Sequence, residues 1–398
     1  MNLTEFLGQE IPAERRERCL EFIDRFAKSQ PKNRFIFGLN VYTKALIREF
    51  SINAIIDDTK LLDGYSGIPI ITFDEFKSLA EDNRNHRFKM IVLSAVGGRP
   101  LTGIARLSEL GVDCLDYFNF QFFSESSLPE IPMNENFRSE FEQNTNEFQE
   151  IYDRLEDIES KKIFENIISF RLNHDLNHLN GFTENQINQY FEPFLDISKN
   201  PGFVDVGCYD GFTTLKFIAT YPNFTQIIAI EPEKENYSKC KRSFKDLKRK
   251  EDIYLENAGL SSAPGDYITI GSASTATVKE VQKSELQDHE SLVSVKTLDQ
   301  FDLPKYDKHG HTINWLIKMD IEGMEFDAIV GATRTIRDLH PSLAISVYHS
   351  PRDLWRIAKL VLSLCDNYKI YVRHYTESIY ETVMFFVPRI RDANQSEA

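Results

Sequence analysis

The stretch Phe203-Val-Asp-Val-Gly-Cys-Tyr-Asp-Gly211 decides how this chain folds. A short apolar strand runs into Gly207, a second glycine follows at Gly211, and Phe212–Tyr221 then shows a helical pattern. A strand, turn and helix in that order set backbone N–H groups and a helix N-terminus at the carboxyl end of a strand. Open α/β sheets bind nucleotides there. A bulky side chain at position 207 would hold a ligand away from the backbone, and Tyr209, Asp210 and Thr213 lie in the same turn and first helical residues. An ordinary strand–helix turn has the same look, so by itself the segment fixes only local structure.

Further pieces give the turn a function. Strand Gln226–Ile230 ends in Glu231-Pro232, about twenty residues past the glycines, where an acid accepts hydrogen bonds from ribose hydroxyls. Asp252–Leu255 reads as a short strand leading to Asn257-Ala258, placed to meet an adenine edge. Asn314–Met319 reads as a buried strand running into Asp320, Glu322 and Gly323. The glycine-poor loop lacks what a pyrophosphate needs, whereas Asp205 and nearby carbonyls suit the cationic ammonium of S-adenosylmethionine. Asp205, Gly207, Tyr209, Asp210, Gly211, Thr213, Glu231, Pro232, Asn257, Ala258 and Asp320 are therefore the expected cofactor-binding residues.

In order and approximate spacing, these segments resemble the FkbM-type methyltransferases, a class I Rossmann-like family. The resemblance covers about 150–390. It is carried by Val204–Gly211, Glu231-Pro232, Asn257-Ala258, Lys296-Thr-Leu-Asp299, Lys318-Met-Asp-Ile-Glu-Gly-Met-Glu325 and His340-Pro-Ser-Leu343. It implies methyl transfer to a hydroxyl oxygen, often on a sugar of a surface glycan or polysaccharide precursor, or on a natural product. A hydroxyl acceptor needs a proton acceptor or a metal. His349, just past the strand Leu343–Tyr348, is the expected base, with Asp320 and Glu322 beside it as the other catalytic candidates. Asp320 and Glu322 could hold a hard divalent cation, but one Asp-x-Glu pair is a thin ligand set, and hydrogen bonding to the cofactor ammonium or the acceptor hydroxyl is the preferred reading. His174 and His178, at i and i+4, are read as structural histidines rather than ligands. The small, polar loop Gly271–Thr277 is a candidate acceptor-contact loop. Tyr348, Trp355, Tyr371 and Tyr375 are expected mostly in the core.

The chain has 398 residues, enough for two or three domains. Residues 1–120 alternate helix and strand: a helix over Pro12–Lys28, then strands at Arg34–Phe37, Asn53–Ile56, Met90–Ser94 and Gly111–Leu115. The expected organisation is an N-terminal Rossmann-like α/β domain over 1–120 and a linker with helical cap over 121–200. The methyltransferase domain follows over 201–390, then a polar tail over 391–398. The cap is read as polar Ser124–Asn146 followed by helices at Asp153–Asn173 and Glu184–Phe194. The catalytic sheet is expected to be mostly parallel with an antiparallel C-terminal strand, because Tyr368–Tyr375 and Glu381–Pro388 read as a hairpin. In the N-terminal domain only Gly38 stands where a dinucleotide site wants three glycines, and Asn40 and Thr43 occupy the other places. A degenerate fold used for substrate capture, docking or homodimer formation is preferred over a working NAD site. An NAD-dependent sugar-modifying oxidoreductase and a silent binding scaffold are the competing readings.

A net charge of −15 argues against non-specific nucleic-acid binding, so the expected partner is a small-molecule or glycan acceptor. No apolar run is long enough for a membrane span, and the N-terminus lacks a secretory pattern. Five scattered cysteines without a CxxC pair read as reduced thiols, consistent with a cytoplasmic location.

Overall fold

The computed structural model describes residues 1–59, 61–82, 90–126, 128–182, 186–270, 277–280 and 291–389. The loop Gly271–Thr277, except Thr277 itself, and the tail 391–398 lie outside the described residues. The chain forms two compact units: Met1–Thr145 with Phe164–Gln186 and Tyr375–Tyr380, and Asn146–Ile163 with Ile187–His374 and Glu381–Ala398.

The first unit is built on strands β1 (Arg34–Phe37), β2 (Ala54–Ile56), β3 (Gly64–Tyr65), β4 (Ile68–Ile71), β5 (Ile91–Ser94) and β6 (Asp113–Asp116), ordered β3-β4-β2-β1-β5-β6. All neighbours are parallel except the β3–β4 hairpin. Both faces of β1, β2 and β5 are buried, which explains their unbroken apolar sequences. Phe35, Phe37, Ile56, Phe73, Phe76 and Val92 pack in one core cluster.

The helix Val41–Glu49 follows β1 with its N-terminus already occupied. Asn40 accepts from the backbone amides of Tyr42 and Thr43 at 2.9 and 3.2 Å, and its own amide donates to the Ala95 carbonyl. Thr43 donates its hydroxyl to the Gly38 carbonyl. The donors a phosphate would use are thus spent on Asn40, the residue that replaces a glycine.

The second unit contains β7 (Pro201–Val206), β8 (Gln226–Ile230), β9 (Ile253–Glu256), β10 (Gly259–Leu260), β11 (Gly265–Ile270), β12 (Thr277–Glu280), β13 (Ser291–Lys296), β14 (Asn314–Met319), β15 (Ser342–Ser346), β16 (Tyr368–His374) and β17 (Thr382–Pro388). Seven form the main sheet, ordered β16-β17-β15-β14-β7-β8-β9. It is parallel except at β17, which runs against both β15 and β16, as the hairpin pattern predicted. Strands β10 to β13 form a separate four-stranded sheet that the sequence did not announce.

Two helical expectations change. A helix, Phe137–Arg154, starts inside the stretch read as linker, and it kinks at Asn144. A second helix covers Ile158–Asn173. Within Glu184–Phe194 the described residues form only a single 3-10 turn, Gln186–Asn188. Pro193 interrupts the pattern, and Tyr190 sits at φ +68°, which no α-helix accommodates.

Candidate functional site

The order of the main sheet reverses between β7 and β14, so their carboxyl ends open a crevice of the kind that takes nucleotides in α/β sheets. The loop leaving β7 turns through three left-handed residues, Gly207 (φ +74°), Tyr209 (φ +52°) and Gly211 (φ +89°). Gly207 is required by more than its dihedral, since a Cβ there would sit 2.1 Å from the Asp320 carbonyl oxygen. The obstruction is the chain's own backbone, a different reason from the ligand approach inferred from sequence. At Gly211 a Cβ would meet the Phe244 ring at 2.8 Å. Asp210 accepts from the Phe212 amide at the start of the helix Phe212–Thr220, and Thr213 lies half-buried in its first turn.

Asp205 is completely buried beneath this loop. One carboxylate oxygen accepts from the Thr214 hydroxyl at 2.7 Å, and the other lies 3.1 Å from the Lys318 ammonium. Lys318, buried on β14, also donates to the carbonyls of Val206 and Gly207 at 3.2 and 2.6 Å. Burial alone would lower the lysine pKa, but the charges of Asp205 and Asp320 outweigh it and raise it. Asp205 therefore faces a fixed partner and, with Lys318, holds the loop from below.

Glu231, at the end of β8, is 5% exposed. Its two oxygens accept from the backbone amides of Tyr209 and Glu233 at 2.8 and 2.9 Å. Burial raises its pKa to about 7 against the opposing pull of those amides. Asn257 donates to the carbonyls of Glu231 and Pro232, and Ala258 is fully buried beside it. These residues form one connected edge: Tyr209 is tied to Glu231, and the Glu231-Pro232 turn to Asn257.

Beyond β14 lies a cluster of acids and hydroxyls. Asp320 accepts from the Tyr190 hydroxyl at 2.8 Å and from the Tyr348 hydroxyl at 3.2 Å. His349 Nε2 lies 3.6 Å from Asp320 and 3.5 Å from Glu322, while Nδ1 lies 3.0 Å from Glu325. Burial would lower the imidazole pKa, yet the carboxylates of Glu325, Asp320 and Glu322 hold it up to about 10. The charged ring carries a proton on each nitrogen, which leaves the carboxylates as the groups able to accept a proton in this arrangement. Burial raises Glu322 to about 7, and does the same to Glu381, to which Gln189 donates. Asp320 moves the other way: burial opposes its ionisation, but His349 and Lys318 prevail and lower its pKa. Among the described non-glycine residues with positive φ, Tyr190, Tyr209, Glu322 and Glu381 all belong to this site. Backbone strain of that kind gathers where geometry is dictated by function.

The structure thus brings the expected residues together in two groups, the Asp205–Gly211, Glu231 and Asn257 edge and the Asp320, Glu322 and His349 cluster. Sequence reasoning missed Tyr190, Lys318, Glu325 and Glu381 as members. Glu325 and Lys318 stood in the quoted motif without a role, whereas nothing in the sequence around Tyr190 marked it. Of the four singled-out aromatics, Tyr348 reaches the site and Tyr371 instead stacks on Phe194 at 4.1 Å between ring centroids. His174 and His178 share no helix face. His174 follows the end of its helix at φ +54°, buried against Asn134 with its pKa lowered by burial to about 4, and His178 lies in the 3-10 turn Leu176–Leu179.

A seven-stranded sheet in this order, with a glycine turn after its first strand, an acid after its second and an Asp-x-Glu after its fourth, is the layout of the class I S-adenosylmethionine-dependent methyltransferase fold. Residues 205–381 match the family model of the Methyltransferase FkbM domain. The fold also matches the crystal structure of Methyltransferase FkbM from Methylobacillus flagellatus KT over 94% of this chain and 94% of that one, at 23% identity and a TM-score of 0.68. Precorrin-6y C5,15-methyltransferase from Geobacter metallireducens GS-15 is 13% identical over 48% of this chain and 81% of its own, with a TM-score of 0.28. An SAH-bound Podospora anserina methyltransferase is 10% identical over 66% and 99%, with a TM-score of 0.25. Scores that low bear no weight. No curated protein matches the chain. Residues 205–381 carry a Methyltransferase FkbM domain, which marks the protein as an S-adenosylmethionine-dependent methyltransferase. Among the described residues no helix is long and apolar enough to cross a membrane.

Proposed function

We propose that the protein transfers a methyl group to a hydroxyl oxygen of a sugar or glycan precursor, at the cluster beyond β14. The carrying observation is the grouping of Tyr190, Tyr348, Asp320, Glu322 and His349 at one strand end. The hydroxyls and carboxylates suit a neutral, hydroxyl-bearing acceptor, and the several acids disfavour an anion beside the reacting atom.

The residues fit the cofactor. Glu231, with two backbone amides already aligning its carboxylate, would receive the ribose hydroxyls. Asn257 and Ala258 would border the adenine. Gly207, Tyr209, Asp210, Gly211 and Thr213 would line the methionine side, with Asp320 near the ammonium and Asp205 setting the loop from beneath. When bound, S-adenosylmethionine supplies an electrophilic methyl on a sulfonium. The chain's own task is to align the acceptor oxygen, a large part of the rate, and to receive its proton. The carboxylates of Asp320 and Glu322 would form the face toward which that proton leaves, with His349, the base expected from sequence, held charged beside them. The N-terminal unit would serve capture, docking or homodimer formation rather than NAD binding, because Asn40 occupies the helix donors.

Calorimetry with S-adenosylmethionine and NAD in parallel tests the cofactor assignments: S-adenosylmethionine binds, Glu231→Ala weakens it, and NAD gives no heat. Transfer of labelled methyl to nucleotide sugars or isolated surface glycans tests the acceptor. Label found only on amines or on non-sugar natural products would replace the sugar assignment.

A further inference from the structure

We propose that Asp320, Glu322 and Nε2 of His349 bind one divalent cation, with Glu325 orienting the imidazole through Nδ1. The cation site stands on its own geometry. Its use in activating the acceptor rests on the hydroxyl-methylation reading above.

The His349 side chain is 3% exposed, yet Nε2 makes no hydrogen bond. Nε2 faces two carboxylate oxygens at 3.6 and 3.5 Å, beyond hydrogen-bond range. Ligand bonds of about 2.0–2.2 Å to a small divalent cation put neighbouring ligand atoms about 3.0–3.5 Å apart. Nε2 therefore stands within a few tenths of an ångström of ligand-to-ligand spacing from each of the two carboxylates, and too far from either to be satisfied by it. On the other side of the ring, Nδ1 lies 3.0 Å from the Glu325 oxygen that also accepts from the Ile321 amide at 2.7 Å. A buried carboxylate that fixes one imidazole nitrogen while the other faces outward is the outer support found behind metal-binding histidines. The ligand atoms of Asp320, Glu325 and His349 all fall within 4.8 Å of one another.

The ligand types narrow the ion. One imidazole and two carboxylates suit Mn²⁺, Fe²⁺ or Mg²⁺ better than a thiophilic metal. Three protein ligands leave positions open, and two neighbouring oxygens of a polyol would fill them. A hydroxyl bound there is more acidic, which is the activation a sugar acceptor needs. The left-handed turn at Glu322 (φ +55°) and Gly323 (φ +97°) bends the chain directly after Asp320, between the two carboxylates' backbone positions and the following helix.

The test uses the full chain stripped with chelator and titrated with Mn²⁺ alone, free Mn²⁺ being read by electron paramagnetic resonance. One ion binds per chain. Glu322→Gln and His349→Gln weaken it at least tenfold, and Glu325→Gln about 10- to 100-fold. Wild type that binds no Mn²⁺ at millimolar concentration overturns the proposal, as does unchanged affinity in His349→Gln. S-adenosylmethionine binding in chelator, measured for every variant, reports folding. Its persistence in a chain that ignores Mn²⁺ refutes the cation site and leaves the methyltransferase assignment intact.

Discussion

Replacing Lys318 by Met keeps the length of the side chain and removes its charge and its donors. The ammonium lies 3.1 Å from Asp205, with side-chain exposures of 3% and 0%. At an effective dielectric of about 20, two unit charges at that distance attract by about 5 kcal/mol. Removing one partner of a buried pair costs about 3–5 kcal/mol, because the remaining charge is stranded. Asp205 would keep only the Thr214 hydroxyl, and the carbonyls of Val206 and Gly207 would lose their donor. For a unit of this size the cost corresponds to a fall of roughly 6–20 °C in the melting midpoint. Scanning calorimetry of Lys318→Met, Asp205→Asn and the double variant measures it. The double variant should lose about 2 kcal/mol less than the sum of the singles. S-adenosylmethionine affinity should fall in Lys318→Met, because the Gly207 end of the loop is released. A melting point within about 2 °C of wild type, or strict additivity, would refute the view that this pair holds the loop.

Gly207→Ala should cost more than about 3 kcal/mol, since it combines a left-handed φ with a Cβ 2.1 Å from a backbone carbonyl; thermal melting and cofactor titration would show both losses. Glu231 keeps its proton up to about pH 7 in the fold but only to 4.5 in an unfolded chain, so stability falls as pH rises across that window and levels off above it. The contribution is on the order of 3 kcal/mol, and Glu231→Gln should give a shallower decline in urea unfolding measured from pH 4.5 to 7.5. The same group predicts that wild type gains S-adenosylmethionine affinity as pH rises through 7, a gain absent from Glu231→Gln. In a thiol titration of the native protein, half-buried Cys114 and Cys365 should react first, while buried Cys19, Cys208 and Cys240 wait for unfolding.

The main sheet was legible because its strands are short, apolar and end in chemically distinctive residues. Gly207, Glu231 and Asp320 each close a strand that the structure contains, and the hairpin at β16 and β17 followed from two apolar runs separated by polar residues. Interactions distant in sequence were not legible. Tyr190 reaches Asp320 across 130 positions from a segment without regular structure, so no periodicity could mark it. Lys318 reads as a surface cation at the end of an apolar run, and only the parallel pairing of β14 with β7 reveals its carboxylate. The helix expected at Glu184–Phe194 failed for a local reason: apolar residues at helical spacing also suit a loop that packs Phe191 against Phe203 and Phe217. The small sheet was missed because β10 contributes only two residues and the sequences of β11 to β13 intersperse Asp, Thr, Ser, Lys and Glu among their apolar residues.

The end of β14 joins the two halves of the site into one mechanical piece. Lys318, on β14, and Asp320, just past its end, are two positions apart; one grips the β7 loop while the other gathers Tyr190, Tyr348 and His349. Between them the backbone is fixed as well: the Asp320 amide donates to Val206, and its carbonyl fills the space a side chain at Gly207 would need. A shift of the cofactor loop would press directly on the residue that organises the acids. The glycine at 207 is therefore a condition for both groups at once. Substitutions there should lower cofactor affinity and disturb the acceptor cluster together, whereas a change at Glu322, at the outer edge, should alter the cluster and spare the loop.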